Sequence, residues 1–246
     1  MVTLDDIREY VFPLYIADDP VRLKPDQPVV LSNANYLGTG FFISKNGVAL
    51  TAGHLTLSPE QVPEGKALLA VVYDGERPRG QQVQIAFIPD NYDIAVLKVA
   101  FSPKKYLPLS FEPVYMGEDV SAIGIPEHSV SGPHKEFRCM KGHVTFAPGL
   151  LELSFPAPRG MSGSPVLRGT QVVGVLCGNA RSEAMEDQIE EKTETVGHLV
   201  KVTRVETKAV INYGLAEPMA RLRDQEFVIC EGLPFSQFVA SLNEES

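Results

Sequence analysis

The chain has 246 residues, 44% of them hydrophobic and 22% charged. That is enough apolar material for a sizeable core, and too few charges for wholesale disorder. The net charge is −9 and the pI about 5.1, which excludes a surface built for phosphate or an anionic membrane, since either needs clustered Lys and Arg. Three cysteines, Cys139, Cys177 and Cys230, are too few and too odd for a disulfide framework and lack zinc-ligand spacing.

Thr3 followed by Leu4, Asp5 and Asp6 has the form of a helix start, and predicts a short helix to about Tyr10. This acidic N-terminus lacks the basic region of a secretory signal. The apolar run Val11 to Ala17 is short and broken by Pro13, far from the ~18 residues of a membrane span. The expected location is cytoplasmic, and low cysteine usage points to a reducing compartment or a bacterial source. After this run the chain changes to short β-rich segments. Tyr36–Ser44, Val48–Thr51, Ala67–Tyr73, Gln82–Ile88 and Ile94–Val99 fit strands, with Asn46-Gly47 and Asp74-Gly75 as turns. The Pro-, Lys- and Tyr-rich stretch Ala100 to Gly117 has no period and reads as a link between two halves. A second strand set follows: Val120–Ile125, Phe137–Phe146, Leu150–Phe155, Pro165–Arg168, Val172–Cys177, His198–Val205 and Ala209–Leu215. Ser182 to Glu194 is crowded with Glu and Asp around a single Lys192 and reads as a solvated loop or a short exposed helix. Glu217 to Asp224 has helical spacing, and Glu226 to Ser246 is expected to form a strand and a terminal helix, or a partner-docking tail. Many short strands at regular spacing imply a sandwich or barrels.

Three motifs carry chemistry. The first is Gly38-Thr-Gly-Phe-Phe-Ile-Ser, then Gly47-Val-Ala-Leu-Thr-Ala-Gly-His54. The second is Tyr92-Asp93-Ile-Ala-Val-Leu-Lys-Val. The third is Gly160-Met-Ser162-Gly-Ser-Pro-Val, followed by Val172-Val-Gly-Val-Leu-Cys-Gly178. A serine hydroxyl needs an adjacent base to become a nucleophile. An imidazole suits that role, and a carboxylate can orient it. A lone His is more often packed than catalytic, a serine in a Gly-rich loop more often a turn residue, and Asp90 competes with Asp93. The motifs in the order His, Asp, Ser decide for His54, Asp93 and Ser162. His128, His134, His143 and His198 have no metal-ligand spacing.

Together the motifs resemble the trypsin-like serine proteases, in particular the bacterial HtrA/Deg-type protease core, here without a PDZ domain. The resemblance spans about Tyr36 to Pro218. It implies an all-β fold of two antiparallel six-stranded barrels with short terminal helices, in one peptidase domain over 1–246. The N-terminal barrel would span about 12–100, the linker 101–117, the C-terminal barrel 118–216 and the helix and tail 217–246. It implies His54 as general base and acid, Asp93 as its orienter and Ser162 as nucleophile. The oxyanion hole would be the N–H groups of Gly160 and Ser162. The substrate pocket would lie between Pro156 to Arg159, with Ala157 and Arg159 as contacts, and Leu176, Cys177, Gly178 and Asn179. No acid falls at the expected pocket floor, so a small or medium apolar side chain is expected there. Met161 stands where many secreted relatives carry the Asp that receives a new N-terminus, so activation by that route is not expected. No cofactor or metal is implied. The expected partners are a protein or peptide substrate and a regulatory protein, not nucleic acid or membrane.

Three rivals stand beside this reading. An α/β-hydrolase needs Gly-x-Ser-x-Gly and the order Ser, Asp, His, and here Ser164 replaces the last glycine. A protease fold used only for binding, and a protease latent until a partner acts, share the same motifs.

Overall fold

The computed structural model describes residues 7–18, 35–56, 65–75, 77–127, 136–181, 186–196, 199–209 and 212–244. Two closed barrels account for most of them. The first is built from β1 (Val11–Asp18), β2 (Asn35–Phe42), β3 (Val48–Thr51), β4 (Lys66–Asp74), β5 (Arg77–Phe87) and β6 (Ala95–Val99), in the spatial order β1-β2-β3-β6-β5-β4. The second is built from β7 (Asp119–Gly124), β8 (Arg138–Phe146), β9 (Leu151–Leu153), β10 (Pro165–Arg168), β11 (Gln171–Arg181) and β14 (Asn212–Pro218), in the order β10-β11-β14-β9-β8-β7. Every ladder in both barrels is antiparallel. Outside them, β12 (Glu186–Val196) and β13 (Leu199–Ala209) form a separate two-stranded sheet. One α-helix is described in full, α1 (Phe235–Glu244).

The period-2 alternation of the strands explains where the cores sit. Ala95, Leu97 and Val99 of β6 point into the first barrel, beside Phe12, Leu14, Phe42 and Leu68 of its other strands, all buried. Ile94 and Val96 point the other way, into a cluster shared between the barrels. That shared cluster also takes Leu50 from β3, Val172 and Val175 from β11, and Phe235 and Val239 from α1. A strand buried on both faces must be apolar throughout, as Ile94-Ala-Val-Leu is. The second barrel is filled by Val120, Val144, Leu153, Val166, Val173 and Leu176.

The strands expected at Val48–Thr51 and Pro165–Arg168 are found at those bounds, and the others within a few residues, except that β5 and β11 run longer. The expected link is strand-free apart from one isolated bridge, Leu109 to Val172, and it buries Leu107 and Val114. Val11–Asp18 is a strand of the first barrel, expected to begin at about residue 12. Two expectations are revised. The acidic stretch is the strand β12 from Glu186 onward, not a loop or helix. Glu217 and Pro218 end β14, and Met219–Leu222 is a single 3-10 turn. Of the expected N-terminal helix only residues 7 and 8 are described as helical, and Thr3 to Asp6 lie outside the described residues. So do His128, His134, His198 and Ser182 to Met185.

Candidate active site

Adjacent strands bring His54 and Asp93 together. β3 pairs with β6 so that Thr51 lies opposite Ala95. His54 sits in a 3-10 turn, Gly53–Leu55, just past the end of β3. Asp93 sits just before the start of β6. His54 Nδ1 is 2.7 Å from Asp93 Oδ2, and the His54 backbone N–H donates to Asp93 Oδ1 at 2.8 Å. Burial alone would raise the Asp93 carboxyl. Hydrogen bonds from the His54 ring, from the His54 N–H and from the Gly53 N–H outweigh it and hold the carboxyl below its ordinary range. With Nδ1–H donating to a carboxylate, Nε2 is left as the acceptor. His54 is exposed, so the ring faces outward from the pair. Asp90, the competing acid, is exposed and has no part in this contact.

Ser162 comes from the other barrel on two consecutive turns. Met161 N–H bonds to Pro158 C=O at 2.9 Å, and Ser164 N–H to Met161 C=O at 3.0 Å. The third residue of each turn, Gly160 (φ +90°) and Gly163 (φ +83°), lies where only glycine is at ease. A Cβ on Gly163 would meet Thr39 O at 2.0 Å and Thr51 Oγ1 at 2.3 Å, so the loop is pressed against β2 and β3. Thr39 N–H bonds to Ser162 C=O at 2.9 Å. Gly38 separates Leu55 from that same carbonyl, with room for no Cβ between them. The Ser162 loop therefore docks on the strand that delivers His54.

The rest of the loop is braced from both sides. Arg159 C=O accepts from Glu127 N–H at 2.7 Å. In a trans peptide the N–H points opposite to the carbonyl, so Gly160 N–H is directed away from Glu127. Gly160 C=O accepts from Thr39 Oγ1 at 3.1 Å, and the single Tyr36 hydroxyl hydrogen is shared between Ile125 C=O at 2.5 Å and Gly160 C=O at 2.9 Å. Among the described residues the N–H groups of Gly160 and Ser162 are spent on no acceptor, whereas Gly163 N–H bonds to Leu176 C=O.

The expected pocket residues divide. Asn179 Oδ1 accepts from Ala157 N–H at 2.6 Å, and Asn179 Nδ2 donates to Ala157 C=O at 2.7 Å, tying the two expected walls together. Beyond Leu176 the pairing with β10 has ended, while β14 still covers the other edge. Cys177, Gly178 and Asn179 thus present an open strand edge. Leu176 is fully buried, and both its N–H and its C=O serve the Ser162 loop. The Arg159 side chain is 88% exposed and paired with Glu127. Among the described residues no His, Cys, Asp and Glu side chains cluster to hold a metal ion, and no helix is long and apolar enough to cross a membrane.

A family model for the trypsin-like peptidase domain matches residues 38–175. The chain belongs to that family. A curated relative of the trypsin-like peptidase chain, the uncharacterized protein y4bJ of Sinorhizobium fredii, is 31% identical over 150 residues, covering 58% of this chain and 22% of its own. The chain thus spans about a fifth of that relative's length. Among solved structures, the active form of the Rv3671c protease from M. tuberculosis superposes with a TM-score of 0.54 at 18% identity, over 86% of this chain and 76% of that one. Its inactive form gives 0.50 at 19%, over 86% and 82%. The HtrA-type protease AlgW, with a decapeptide, gives 0.53 at 17%, over 85% and 60%. At these identities the likeness shows the fold, shared by active and inactive forms alike.

Three residues at the site carry no motif: Tyr36, which reaches Gly160, and Glu217 and Arg221, which line the cleft beside Asp93. The one readable signal was an acid and a base four apart in the apolar stretch Leu215 to Leu222.

Proposed function

We propose that this trypsin-like peptidase chain is a serine endopeptidase. The observation that carries the reading is the 2.7 Å contact of His54 Nδ1 with Asp93 Oδ2, on the seam where the Ser162 loop is docked. In the proposed reaction His54 Nε2 takes the Ser162 Oγ proton as Oγ attacks the substrate carbonyl carbon. The C–O bond forms, and the carbonyl oxygen becomes an oxyanion held by the N–H groups of Gly160 and Ser162. When the C–N bond breaks, His54 gives the same proton to the departing amine. Water, deprotonated by His54, then attacks the acyl ester, and Ser162 recovers its proton. Asp93 stays ionised and stabilises the transient imidazolium.

The substrate is an extended protein segment, laid as an added strand on the open edge at Cys177 to Asn179. No acid falls at the expected pocket floor, so the favoured side chain next to the cleaved bond is small or medium and apolar. A peptide library in which Arg or Lys dominated at that position would overturn this preference.

The test is labelling of wild type and Ser162→Ala with a fluorescent fluorophosphonate. Labelling of wild type alone is expected. Equal labelling of both would mean another serine is the nucleophile. One observation favours a second reading, a latent or inactive module that acts by protein binding: among the described residues, the hydrogen bonds of His54 reach Asp93 and none reaches Ser162. Catalytic hydrogen bonds often tighten only when substrate binds. A wild type that stays unlabelled decides for the second reading.

A further inference from the structure

Beside Asp93, and continuous with the open edge at Cys177 to Asn179, lies an open cleft of about 590 Å³ lined also by Asp90, Tyr92, Glu217 and Arg221. Its most unusual member is Glu217. The carboxylate lies at the end of β14, and its side chain is 3% exposed. A buried carboxylate is costly unless paired and hydrogen-bonded. Arg221, four residues on, provides the pair, with Nη1 2.7 Å from Oε1. The guanidinium is itself steadied over the Tyr92 ring, 5.0 Å from its centroid. Tyr92 is the residue before Asp93, so the ion pair and the loop bearing the orienting carboxylate form one stack. The Asp93 backbone N–H faces the Glu217 carboxylate. Burial, most of all, raises the Glu217 carboxyl; Arg221 and that N–H oppose it, and the Asp93 charge adds to it.

We propose that Glu217, neutralised by Arg221, is a positioning residue for Asp93: it anchors the Asp93 main chain and balances the charge beside the His54–Asp93 pair. The inference rests on the serine endopeptidase reading for its consequence in catalysis, and on the geometry alone for its electrostatics. The groups facing Asp93 besides His54 are Glu217 and Arg221 from β14 and the turn after it, Cys177 from β11, and Asp90 and Tyr92 from its own loop. Burial first, then Asp93 and Glu217, push the Cys177 thiol up to about 12, so it is neutral at working pH. Glu217 is thus a buried charge beside the pair, and Arg221, whose side chain is 41% exposed, is its counter-charge. Removing either one leaves the other uncompensated.

The experiment uses the full chain, wild type and three variants: Glu217→Gln, Arg221→Gln and Arg221→Lys. The His54 ring is followed by carbon-13 NMR against pH, its signal assigned by its loss in His54→Ala. In parallel, the rate of fluorophosphonate labelling is measured against pH. Glu217→Gln exposes the Arg221 charge, which disfavours imidazolium, and should lower the His54 midpoint by about half a pH unit. Arg221→Gln exposes the Glu217 charge and should raise it by about as much. Arg221→Lys keeps the charge and should leave it at the wild-type value. The acidic limb of the labelling profile should move the same way. Midpoints that stay put in both single neutralisations, or that move in the same direction, would overturn the proposal. If Glu217→Gln does not fold, as judged by circular dichroism, the Arg221 pair decides: Gln must shift the midpoint upward and Lys must not. Midpoints that move as expected in a protein that never labels would support the charge balance and sink the endopeptidase reading instead.

Discussion

At the residue scale, two hydroxyls brace the loop proposed to hold the oxyanion. Tyr36 Oη and Thr39 Oγ1 come from β2 and meet the Gly160 carbonyl in the other barrel. Burial pushes the Tyr36 hydroxyl well above its ordinary range, so it stays a donor. Each such bond contributes about 1 kcal/mol net, and leaving a buried carbonyl unpaired costs about 1–3 kcal/mol. Tyr36→Phe and Thr39→Val should each slow fluorophosphonate labelling roughly ten-fold, the equivalent of about 1.4 kcal/mol. The pair should be more than additive, since both serve one carbonyl. Labelling unchanged in the double variant would show that the turns hold Gly160 unaided. Asp93 makes a second prediction. Its carboxyl lies below the ordinary 3.8, despite burial, because His54 and Gly53 donate to it. A depressed acid binds fewer protons folded than unfolded. Its stabilisation is therefore complete above about pH 3.8 and is lost as pH falls through the folded-state value. Asp93→Asn should flatten the fall in stability below that pH, measured by urea unfolding at several acid pH values. Glu217 has the opposite sign: it is raised above its ordinary 4.5, so its contribution is greatest in acid and declines as pH rises past 4.5.

At the element scale, β1 and β12 show how neighbours override local pattern. Pro13 cannot donate to a ladder. In β1 it faces Thr39 of β2, while pairing with β4 begins only at Leu14. It thus lies where the missing N–H costs little. The acidic stretch is poor in strand formers, yet β12 pairs with β13 along its whole length, from Glu186 with Ala209 to Val196 with Leu199. The second barrel's last β11–β14 pair is Arg181 with Asn212. Replacing Glu186 to Ala209 with a short Gly-containing turn should leave the melting temperature within a few degrees of wild type, read by circular dichroism. Fluorophosphonate labelling should also persist. A large loss of either would mean that the hairpin belongs to the barrel core. A selective loss of cleavage of a protein substrate would give the acidic strand a role in access or partner binding.

At the scale of the whole molecule, the site exists because two barrels share a third core. His54 and Asp93 come from the first barrel and Ser162 from the second, so their spacing is a property of the seam. Phe235 of α1 is fully buried there, with Phe111 and Phe227 edge-on to it at 6.0 and 5.6 Å. Phe235→Ala should cost about 3–5 kcal/mol. It should also reduce labelling under native conditions in which the barrels' far-UV signal is intact. An active, merely less stable protein would show that α1 is not what holds the barrels in register.

The sequence alone determined a good deal. Alternating apolar runs in β6 and β11, and glycines before and after Ser162, are local requirements of a buried strand and of two tight turns. A single chain displays them directly, and the order of His54, Asp93 and Ser162 points to one seam. What only the tertiary structure decided depends on partners far apart in the chain. Tyr36 reaches Gly160 across 124 residues, Asn179 locks Ala157 across 22, and Glu217 lies beside Asp93. None of these has a local pattern, because each is defined by the group it meets. Buried polar groups must find partners wherever the fold puts them, and in this protein the fold puts those partners on the other barrel or on another strand.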